Sequence, residues 1–446
     1  GAKNAFMDKV SEPHQYPDKV HAYSTVSVLV FANIMSFIDR QVPAMLVGPI
    51  KADFNISDSE IAFLIGFAFS ATYAIIALPI GFAVDRMKRK IVLGSGILLW
   101  SFMTMAAVFA SSYQRLLGAR MGVAVGEAVM APVSVSLVSD YFPQNKQGKP
   151  MGIITAGVYL GIGTTLIGGG YLIDYLTDIG GITIPGIGYF KPWQATFLLV
   201  GIPGILISIA AFMLHEPKRL GLSKMQDNSK PINIFSHLKT NKTTLFPMFG
   251  GLIFMALIFY SFTFWAPSMM VRTYGLSLTE VGFTLGIITI IASILGTISS
   301  GTVVDYLRSR GHSDAPIRTG MFACIFATPA ICLAPIVDSL FLTWALIGIY
   351  LFFISSFAPI GLLAVSGISG NEVKGQMAAV HAFLMMAFGL SLGPQITAFF
   401  TDFVLMDESK LGYAMALTGA LVLPVAAIFF KISSSSYQKA YEELSS

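Results

Sequence analysis

Long apolar windows that contain no Asp, Glu, Lys or Arg dominate the chain and alternate with short polar loops. Eleven such windows occur, at 20–38, 61–84, 91–114, 150–173, 192–214, 243–271, 281–304, 319–337, 339–371, 375–401 and 411–430. A twelfth window, at about 113–140, is apolar apart from Arg115, Arg120 and Glu127. A helix needs about 20 apolar residues to cross the hydrocarbon core of a bilayer. The pattern therefore predicts an all-α membrane protein with twelve transmembrane helices.

Composition narrows the class of protein further. Of the 446 residues, 54% are hydrophobic and only 12% are charged, whereas soluble globular proteins carry about 25% charged residues. This excludes a soluble enzyme and a nucleic-acid-binding protein, and a net charge of +4 is too small to favour a polyanionic partner. The two cysteines, Cys324 and Cys332, share one apolar window and form neither a disulfide nor a metal-ligand pattern. No metal or other cofactor is expected.

Basic residues are distributed unevenly over the loops. If the N-terminus is cytoplasmic, 21 of the 28 Lys and Arg residues fall on cytoplasmic helix ends and loops. Four fall on the opposite side, namely Lys51, Lys191, Arg272 and Lys410. This bias follows the positive-inside rule. It predicts a multi-pass protein of the plasma (inner) membrane with both termini in the cytoplasm.

An internal repeat divides the chain into two halves. The segment SDSEIAFLIG at 57–66 matches SLTEVGFTLG at 277–286 in its Ser, Glu, Phe and final Gly, at an offset of about half the chain length. Gly81 and Asp85 match Gly301 and Asp305 at the same offset, which makes the second and eighth helices equivalent. The sequence therefore predicts two six-helix bundles, 1–214 and 243–446, the second with a short cytoplasmic tail. A polar cytoplasmic linker, 215–242, joins them.

A basic loop motif follows the second window. It begins at Gly81 and contains Asp85, Arg86 and Arg89, and a degenerate copy places Asp305 after Gly301. A glycine permits close helix approach, and an acid at a helix end can meet a helix N-terminus or basic residues. We interpret the motif as a gate that holds the cytoplasmic side closed in one state. The alternative is that its basic residues only set the topology.

Ionisable residues at membrane depth are expensive and are usually functional. Such residues are Arg120 and Glu127 in the window at about 113–140, and Asp39 directly after the first window, which continues past Asp39 and Arg40 to about Val47. Seven residues separate Arg120 from Glu127, which is about 10 Å along a helix axis, so Arg120 could choose between Asp39 and Glu127 according to their protonation. We interpret the three as a proton-coupling switch. A static buried ion-pair network that fixes helix packing is the alternative.

The expected substrate cavity is lopsided. Arg40 directly follows Asp39, points in another direction and could face the cavity alone, where a guanidinium invites a phosphate or carboxylate. The alternative is that Arg40 extends toward the membrane surface. The windows of the C-terminal half are rich in aromatic and Met residues, of which the candidates for substrate contact are Phe259, Tyr260, Trp265, Tyr350 and Met385. His381 either lines the cavity and titrates or packs as a neutral ring.

The sequence resembles the major facilitator superfamily, whose signature G-x-x-x-D-R-x-G-R-[KR] matches the loop from Gly81, with Lys88 in place of the second glycine. Two tandem six-helix repeats are the layout of these transporters. Ile38-Asp39-Arg40-Gln41 and the fourth-window stretch 119–128, followed by Ser139-Asp140-Tyr141-Phe142-Pro143, resemble the Spinster branch. That resemblance implies transport of lysophospholipids or sphingolipids, including sphingosine 1-phosphate, with proton dependence in some members.

The resulting hypothesis is a secondary active transporter, not an enzyme, that works as a monomer by alternating access. Its expected partners are protons and an amphipathic anionic lipid, a lysophospholipid or a sphingosine 1-phosphate-like molecule. One alternative is a proton-coupled carrier of small organic anions or amphipathic drugs. A second is a lipid scramblase or receptor on the same fold without coupled transport.

Overall fold

The computed structural model describes residues 16–142, 148–219, 238–369 and 374–445. Within these ranges, twelve helical spans are long and apolar enough to cross a membrane, and they confirm the twelve predicted windows. We number them spans 1 to 12 in chain order: Lys19–Met45, Asp58–Ala77, Arg89–Phe109, Tyr113–Tyr141, Pro150–Asp178, Pro192–Phe212, Lys242–Tyr274, Leu278–Ser309, Ala315–Leu333, Leu340–Gly367, Met377–Leu405 and Glu408–Leu444. The protein is therefore an integral multi-pass membrane protein. Most of the linker, 220–237, lies outside the described residues.

Several spans are interrupted α-helices. The α-helices run Lys19–Met45, Val47–Phe54, Asp58–Ala62, Ala68–Arg86, Arg89–Ala106, Tyr113–Glu127, Met130–Tyr141, Gly148–Thr164, Gly170–Asp178, Pro192–Phe212, Lys242–Tyr274, Leu278–Ser309, Ala315–Leu333, Leu340–Ile354, Phe357–Gly367, Lys374–Leu384, Ser391–Phe399 and Leu411–Ser445. Single π-helical turns lie at Phe63–Phe67, Thr165–Gly169, Met385–Leu390 and Phe400–Leu405, and 3₁₀ turns at Ala107–Phe109 and Glu408–Lys410. The π turns fall in spans 2, 5 and 11, and such turns often mark functional sites.

Two short elements add to the helical fold between the spans. The strands β1 (Ile182–Ile184) and β2 (Gly188–Phe190) form an antiparallel hairpin after span 5, with Ile182 opposite Phe190. Gly180 and Gly181 lead into the hairpin at φ of 74° and 94°, a region that glycine enters without steric cost. The expectation of an all-α protein therefore holds apart from these two strands of three residues each.

Because the described spans are even in number, the beginning of span 1 and the end of span 12 lie on one face of the membrane, which we call the terminal face. The opposite face, with the loops after spans 1, 3, 5, 7, 9 and 11, is the distal face. Close helix contacts within the N-terminal half rely on glycine: a Cβ at Gly126 would lie 2.6 Å from the carbonyl oxygen of Gly96. In the C-terminal half, span 7 is the most buried of the twelve spans. It forms the centre of that bundle.

Candidate translocation site

A central cavity lies between the two halves at mid-depth. It encloses about 40 Å³, which is room for a few water molecules and no more. It is lined by Phe37, Arg40, Gln41, Ala44, Ile65, Gly66, Phe69, Arg120, Ile162, Phe259, Tyr260, Thr263, Phe264, Leu390 and Pro394. The N-terminal half contributes both guanidinium groups, and the C-terminal half contributes aromatic rings. The lopsided distribution of charge expected from the sequence is present in this cavity.

Arg40 does not face the cavity unpaired. Its Nε donates to Glu127 Oε2 at 2.6 Å, and the hydroxyl of Ser36, one helical turn earlier, donates to the same oxygen at 2.8 Å. The Glu127 carboxylate is fully buried, and its other oxygen has no partner among the described residues. The expectation of a lone Arg40 is thus wrong, because helix packing brings span 4 alongside span 1 at this level.

Arg120 forms neither of the predicted ion pairs. Its Nη1 donates to the backbone carbonyl of Asp39 at 3.1 Å, and no described carboxylate lies within ion-pair distance of it. Its side chain is 2% exposed, and its Nε has no partner among the described residues. The predicted choice between Asp39 and Glu127 is therefore corrected for this conformation, in which Arg40 is the ion-pair partner of Glu127. The Nε of Arg120 is therefore a hydrogen-bond donor that no described residue uses.

One aromatic ring contacts both guanidinium groups. The Cζ of Arg40 lies 5.2 Å from the centroid of Phe69, and the Cζ of Arg120 lies 5.3 Å from the same centroid. Phe37 and Tyr73 add further ring contacts to Arg40 at 4.8 and 5.6 Å. Cation–π attraction stabilises a desolvated cation by up to about 2 kcal/mol. Sequence reasoning missed this arrangement, because aromatic residues are frequent in every span.

Asp39 is buried, at 2% exposure, and its Oδ1 has no hydrogen-bond partner among the described residues. The hydroxyl of Thr104 in span 3 lies beside it. The next residue but one, Gln41, donates from Nε2 to the backbone carbonyl of Thr263 in the other half at 2.9 Å. Three consecutive residues of span 1 thus contact span 3, span 4 and the opposite half.

Only some of the predicted substrate contacts in the C-terminal half reach the cavity. Phe259 and Tyr260 line it, whereas Trp265, Tyr350, His381 and Met385 are absent from its lining. Those four are buried in the packed bundle: Trp265 Nε1 donates to the Pro394 carbonyl, and the Tyr350 hydroxyl donates to the Ile258 carbonyl. Their predicted contact with this cavity is therefore wrong for this conformation. Hydropathy identifies a span but does not say which of its faces meets a neighbouring helix.

The basic loop motif organises the terminal face of the N-terminal half. Arg89 is fully buried, and its guanidinium forms ion pairs with Asp140 and with Glu216, the latter at 2.9 Å. Burial would raise the pKa of the Glu216 carboxyl, but bonds from the Lys90 backbone N–H and from Arg89 outweigh it and lower that pKa. Arg89, one of the predicted gate residues, thus joins span 4 to the segment that follows span 6 in this conformation.

The other members of the predicted gate contact little here. Arg86 and Asp305 are exposed, and a Cβ at Gly81 or Gly301 would meet no atom within 4 Å. The side chain of Asp85 lies outside the described part of the structure. The gating role of these residues stays a prediction, and no close helix approach occurs at Gly81 in this conformation.

The distal face holds an ion network that the sequence did not reveal. Asp58 is fully buried; it accepts from Lys51 at 2.5 Å and from two nitrogens of Arg272 in the other half at 2.8 Å each. Lys51 also reaches across to Glu408 at 2.5 Å. Carboxylate oxygens of Asp58, Asp402 and Glu408 lie within 4.8 Å of one another, but Lys51 and Arg272 already supply the balancing charge. This network holds the two halves together at the distal face.

Comparisons with known proteins agree with this architecture. The sequence profile of the Major Facilitator Superfamily matches residues 29–394. An MFS-type efflux pump of Mycolicibacterium smegmatis is 26% identical over 424 residues, which cover 94% of each chain. The sphingosine-1-phosphate transporter of Danio rerio is 24% identical over 72% of this chain and 67% of that protein.

A solved structure matches the fold along nearly the whole chain. The inward-facing, unoccupied crystal structure of a bacterial homologue of the human lysosomal transporter Spinster superposes with a TM-score of 0.78. It is 22% identical and covers 96% of this chain and 98% of that chain. Because the superfamily profile spans most of the sequence and the fold agrees, this protein belongs to the major facilitator superfamily of membrane transporters and resembles its Spinster members.

Proposed function

We propose that this transporter moves an amphipathic anion, a lysophospholipid or sphingosine 1-phosphate-like lipid, by proton-coupled alternating access. The observation that carries the proposal is a pair of guanidinium groups, those of Arg40 and the buried Arg120, which both contact the ring of Phe69 in a cavity with an aromatic wall. A cationic centre beside apolar rings suits an anionic head group joined to a hydrocarbon tail. The named activity of the Danio rerio relative supports the same substrate class.

Arg120 is the better candidate for the first contact with the head group. The charge of Arg40 is already balanced by Glu127. Arg120 instead donates one hydrogen bond to a backbone carbonyl, and its Nε has no partner among the described residues. A guanidinium binds a phosphate or carboxylate through two parallel hydrogen bonds. The aromatic residues Phe259 and Tyr260 lie on the other wall of the cavity and provide surface for the tail.

The Arg40–Glu127 pair supplies a route to proton coupling. A proton on Glu127 removes the charge that holds Arg40, and the freed guanidinium can then bind the head group beside Arg120. In reverse, loss of the head group lets Arg40 return to Glu127 as the proton leaves. Because each buried charge is costly without its partner, proton and anion binding favour one another. Asp39, with one oxygen unpartnered, is a second proton-binding group in the same site.

The coupling step is tested by flux in proteoliposomes under an imposed pH gradient. We expect Glu127→Gln to abolish the pH dependence of transport, because the neutral amide can no longer exchange a proton while Arg40 is released permanently. Asp39→Asn is expected to weaken the pH dependence in the same assay. Asp178→Asn, which removes an exposed acid at the distal end of span 5, serves as the control and should transport like the unmodified protein. An unchanged pH dependence in both cavity variants contradicts the coupling.

The head-group assignment is tested by binding of a lysophospholipid and of its uncharged analogue to detergent-solubilised protein. We expect Arg120→Ala to weaken binding of the charged lipid about tenfold or more, as loss of a charge-assisted bond of about 1.5–3 kcal/mol requires. The uncharged analogue should lose little. The effect of Arg40→Ala should be smaller, because Arg40 is shared with Glu127. Equal losses for both lipids would show that Arg120 acts only through packing.

A small organic anion or an amphipathic drug is the second candidate substrate. The relative from Mycolicibacterium smegmatis, which matches along nearly the whole chain, is named as an efflux pump. Both classes would use the same guanidinium groups, so the cavity alone does not separate them. A competition panel of short polar acids, amphipathic drugs and lysolipids against one labelled lysolipid distinguishes them. Flux that ignores the pH gradient altogether would indicate an uncoupled lipid scramblase.

A further inference from the structure

Spans 2 and 8 begin with the same local capping arrangement. The hydroxyl of Ser57 accepts from the backbone N–H of Glu60, and the Glu60 carboxylate accepts from the N–H of Ser57. Ser277 and Glu280 repeat this exchange at the equivalent positions of the second half. A helix begins with four backbone N–H groups that have no partner inside the helix. Each capping box satisfies two such donors from within its own segment.

The N–H between the two capping residues is satisfied from the other half of the molecule. In span 2 the N–H of Ser59 donates to Asp402 Oδ2 of span 11 at 2.7 Å. In span 8 the N–H of Thr279 donates to Asp174 Oδ2 of span 5, also at 2.7 Å. Ser59 and Thr279 are separated by the same offset as the repeat and so occupy equivalent positions in it.

The two acids lie on corresponding helices. Span 5 and span 11 are each the fifth helix of their half, although 228 positions separate Asp174 from Asp402 and 220 separate Ser59 from Thr279. Each half therefore places one carboxylate at a helix N-terminus of the other half. A carboxylate there also interacts favourably with the positive end of the helix dipole.

We propose that Asp174 and Asp402 form a reciprocal pair of capping acids that sets how firmly the distal face closes. When the halves separate at this face, Ser57, Glu60 and their counterparts remain in place, because they belong to one segment each. Of the bonds that cap these two helices, only those from Ser59 and Thr279 break. The bonds to Asp174 and Asp402 therefore form only when the distal face closes, and both helices stay intact in either state. This inference rests on the proposed alternating access.

The two caps differ in how many other polar contacts between the halves lie beside them. Beside Asp402, the Gln395 side-chain amide donates to the Ser59 carbonyl at 3.3 Å, and the ion pair of Asp58 with Arg272 adds to closure. Position 278, which corresponds to Asp58 in the repeat, is Leu, so the other cap has no equivalent ion pair at that position. Closure beside Asp174 therefore depends more heavily on its single bond.

The test measures the distance across the distal face with two spin labels. They are attached at Ser111→Cys and Asp338→Cys, exposed loop positions in opposite halves, after Cys324 and Cys332 are replaced by Ala. In lipid nanodiscs without substrate, we expect Asp174→Ala and Asp402→Ala each to raise the ratio of distal-open to distal-closed molecules about tenfold, the usual effect of losing a helix cap. Asp174→Asn and Asp402→Asn retain an acceptor oxygen and should show smaller shifts.

The double Ala variant should combine both shifts, since distant sites add in free energy. Asp178→Ala, one turn beyond Asp174, is the control and should leave the distances unchanged. Unaltered distances in both single Ala variants and in the double variant would overturn the proposal. The measurement uses neither substrate nor a proton gradient, so its failure is distinct from that of the transport assays. Shifted distances in the Ala variants together with absent lipid transport by the unmodified protein would instead count against the proposed substrate alone.

Discussion

Adjacent residues in span 1 show that a shift of one position along a helix changes which neighbouring helix a side chain contacts. Asp39 and Arg40 are neighbours in sequence, yet the carboxylate of Asp39 lies beside span 3 and the guanidinium of Arg40 reaches Glu127 in span 4. Successive helix positions are about 100° apart, so neighbouring side chains meet different helices. At the terminal face, Arg89 is similarly decisive, because one guanidinium joins Asp140 of span 4 to Glu216 at the start of the linker.

A pH-dependent stability follows from the lowered pKa of Glu216. A carboxyl whose pKa is lower in the folded state stabilises the fold above its ordinary pKa of 4.5, and this contribution is lost as the pH falls through the lowered value. We expect Glu216→Gln to destabilise the protein by about 1 kcal/mol at pH 7. The difference from the unmodified protein in thermal unfolding should shrink as the pH falls below 4.5. A difference that stays constant down to pH 3 would contradict this account.

At the scale of helices, glycine determines how closely spans 5 and 8 approach each other. A Cβ at Gly282 would lie 1.9 Å from the carbonyl oxygen of Leu166, and one at Gly170 would lie 2.3 Å from that of Leu278. Both obstacles are backbone atoms, which cannot rotate away as a side chain can. Contact of this kind is typical of membrane helices, whose interfaces are enriched in small residues. Here the contact joins the two halves of the transporter.

Substitution at this contact should act on closure more than on folding. We expect Gly282→Ala to prevent full approach of spans 5 and 8, raising the distal-open population in the spin-label experiment and slowing transport. Gly348→Ala in span 10 is the control, because the nearest atom to its Cβ would be at an ordinary 3.6 Å. That variant should behave like the unmodified protein. A closed distance distribution in Gly282→Ala would mean that the halves adjust without separating.

At the scale of the whole molecule, the scarce charge divides between the two faces and the central site. The four basic residues that the sequence assigns to the distal side all have acidic partners there: Lys51 and Arg272 with Asp58, Lys191 with Asp53, and Lys410 with Asp407. Two of the four bind across the halves, since Lys51 contacts Glu408 and Arg272 contacts Asp58. Together with the two capping acids, these contacts close the distal face around a cavity too small for a lipid.

The sequence by itself determined the class of the protein, its twelve spans and the superfamily, and it predicts the division into two halves. Those features follow from apolar length, from the internal repeat and from the Gly81–Asp85 loop, all of which can be read along the chain without knowledge of packing. It also located the rare buried charges, because any charge inside an apolar window stands out. Arg40, Arg120 and Glu127 were found in this way.

Only the tertiary structure decided which of those groups meet. The pairing of Arg40 with Glu127, the contact of Phe69 with two guanidinium groups and the burial of Trp265 and Tyr350 depend on helix rotation and crossing. A window's hydropathy averages over all faces of a helix and so does not contain that information. The reciprocal caps of Asp174 and Asp402 are likewise contacts between residues far apart in the sequence, fixed by how the two halves pack.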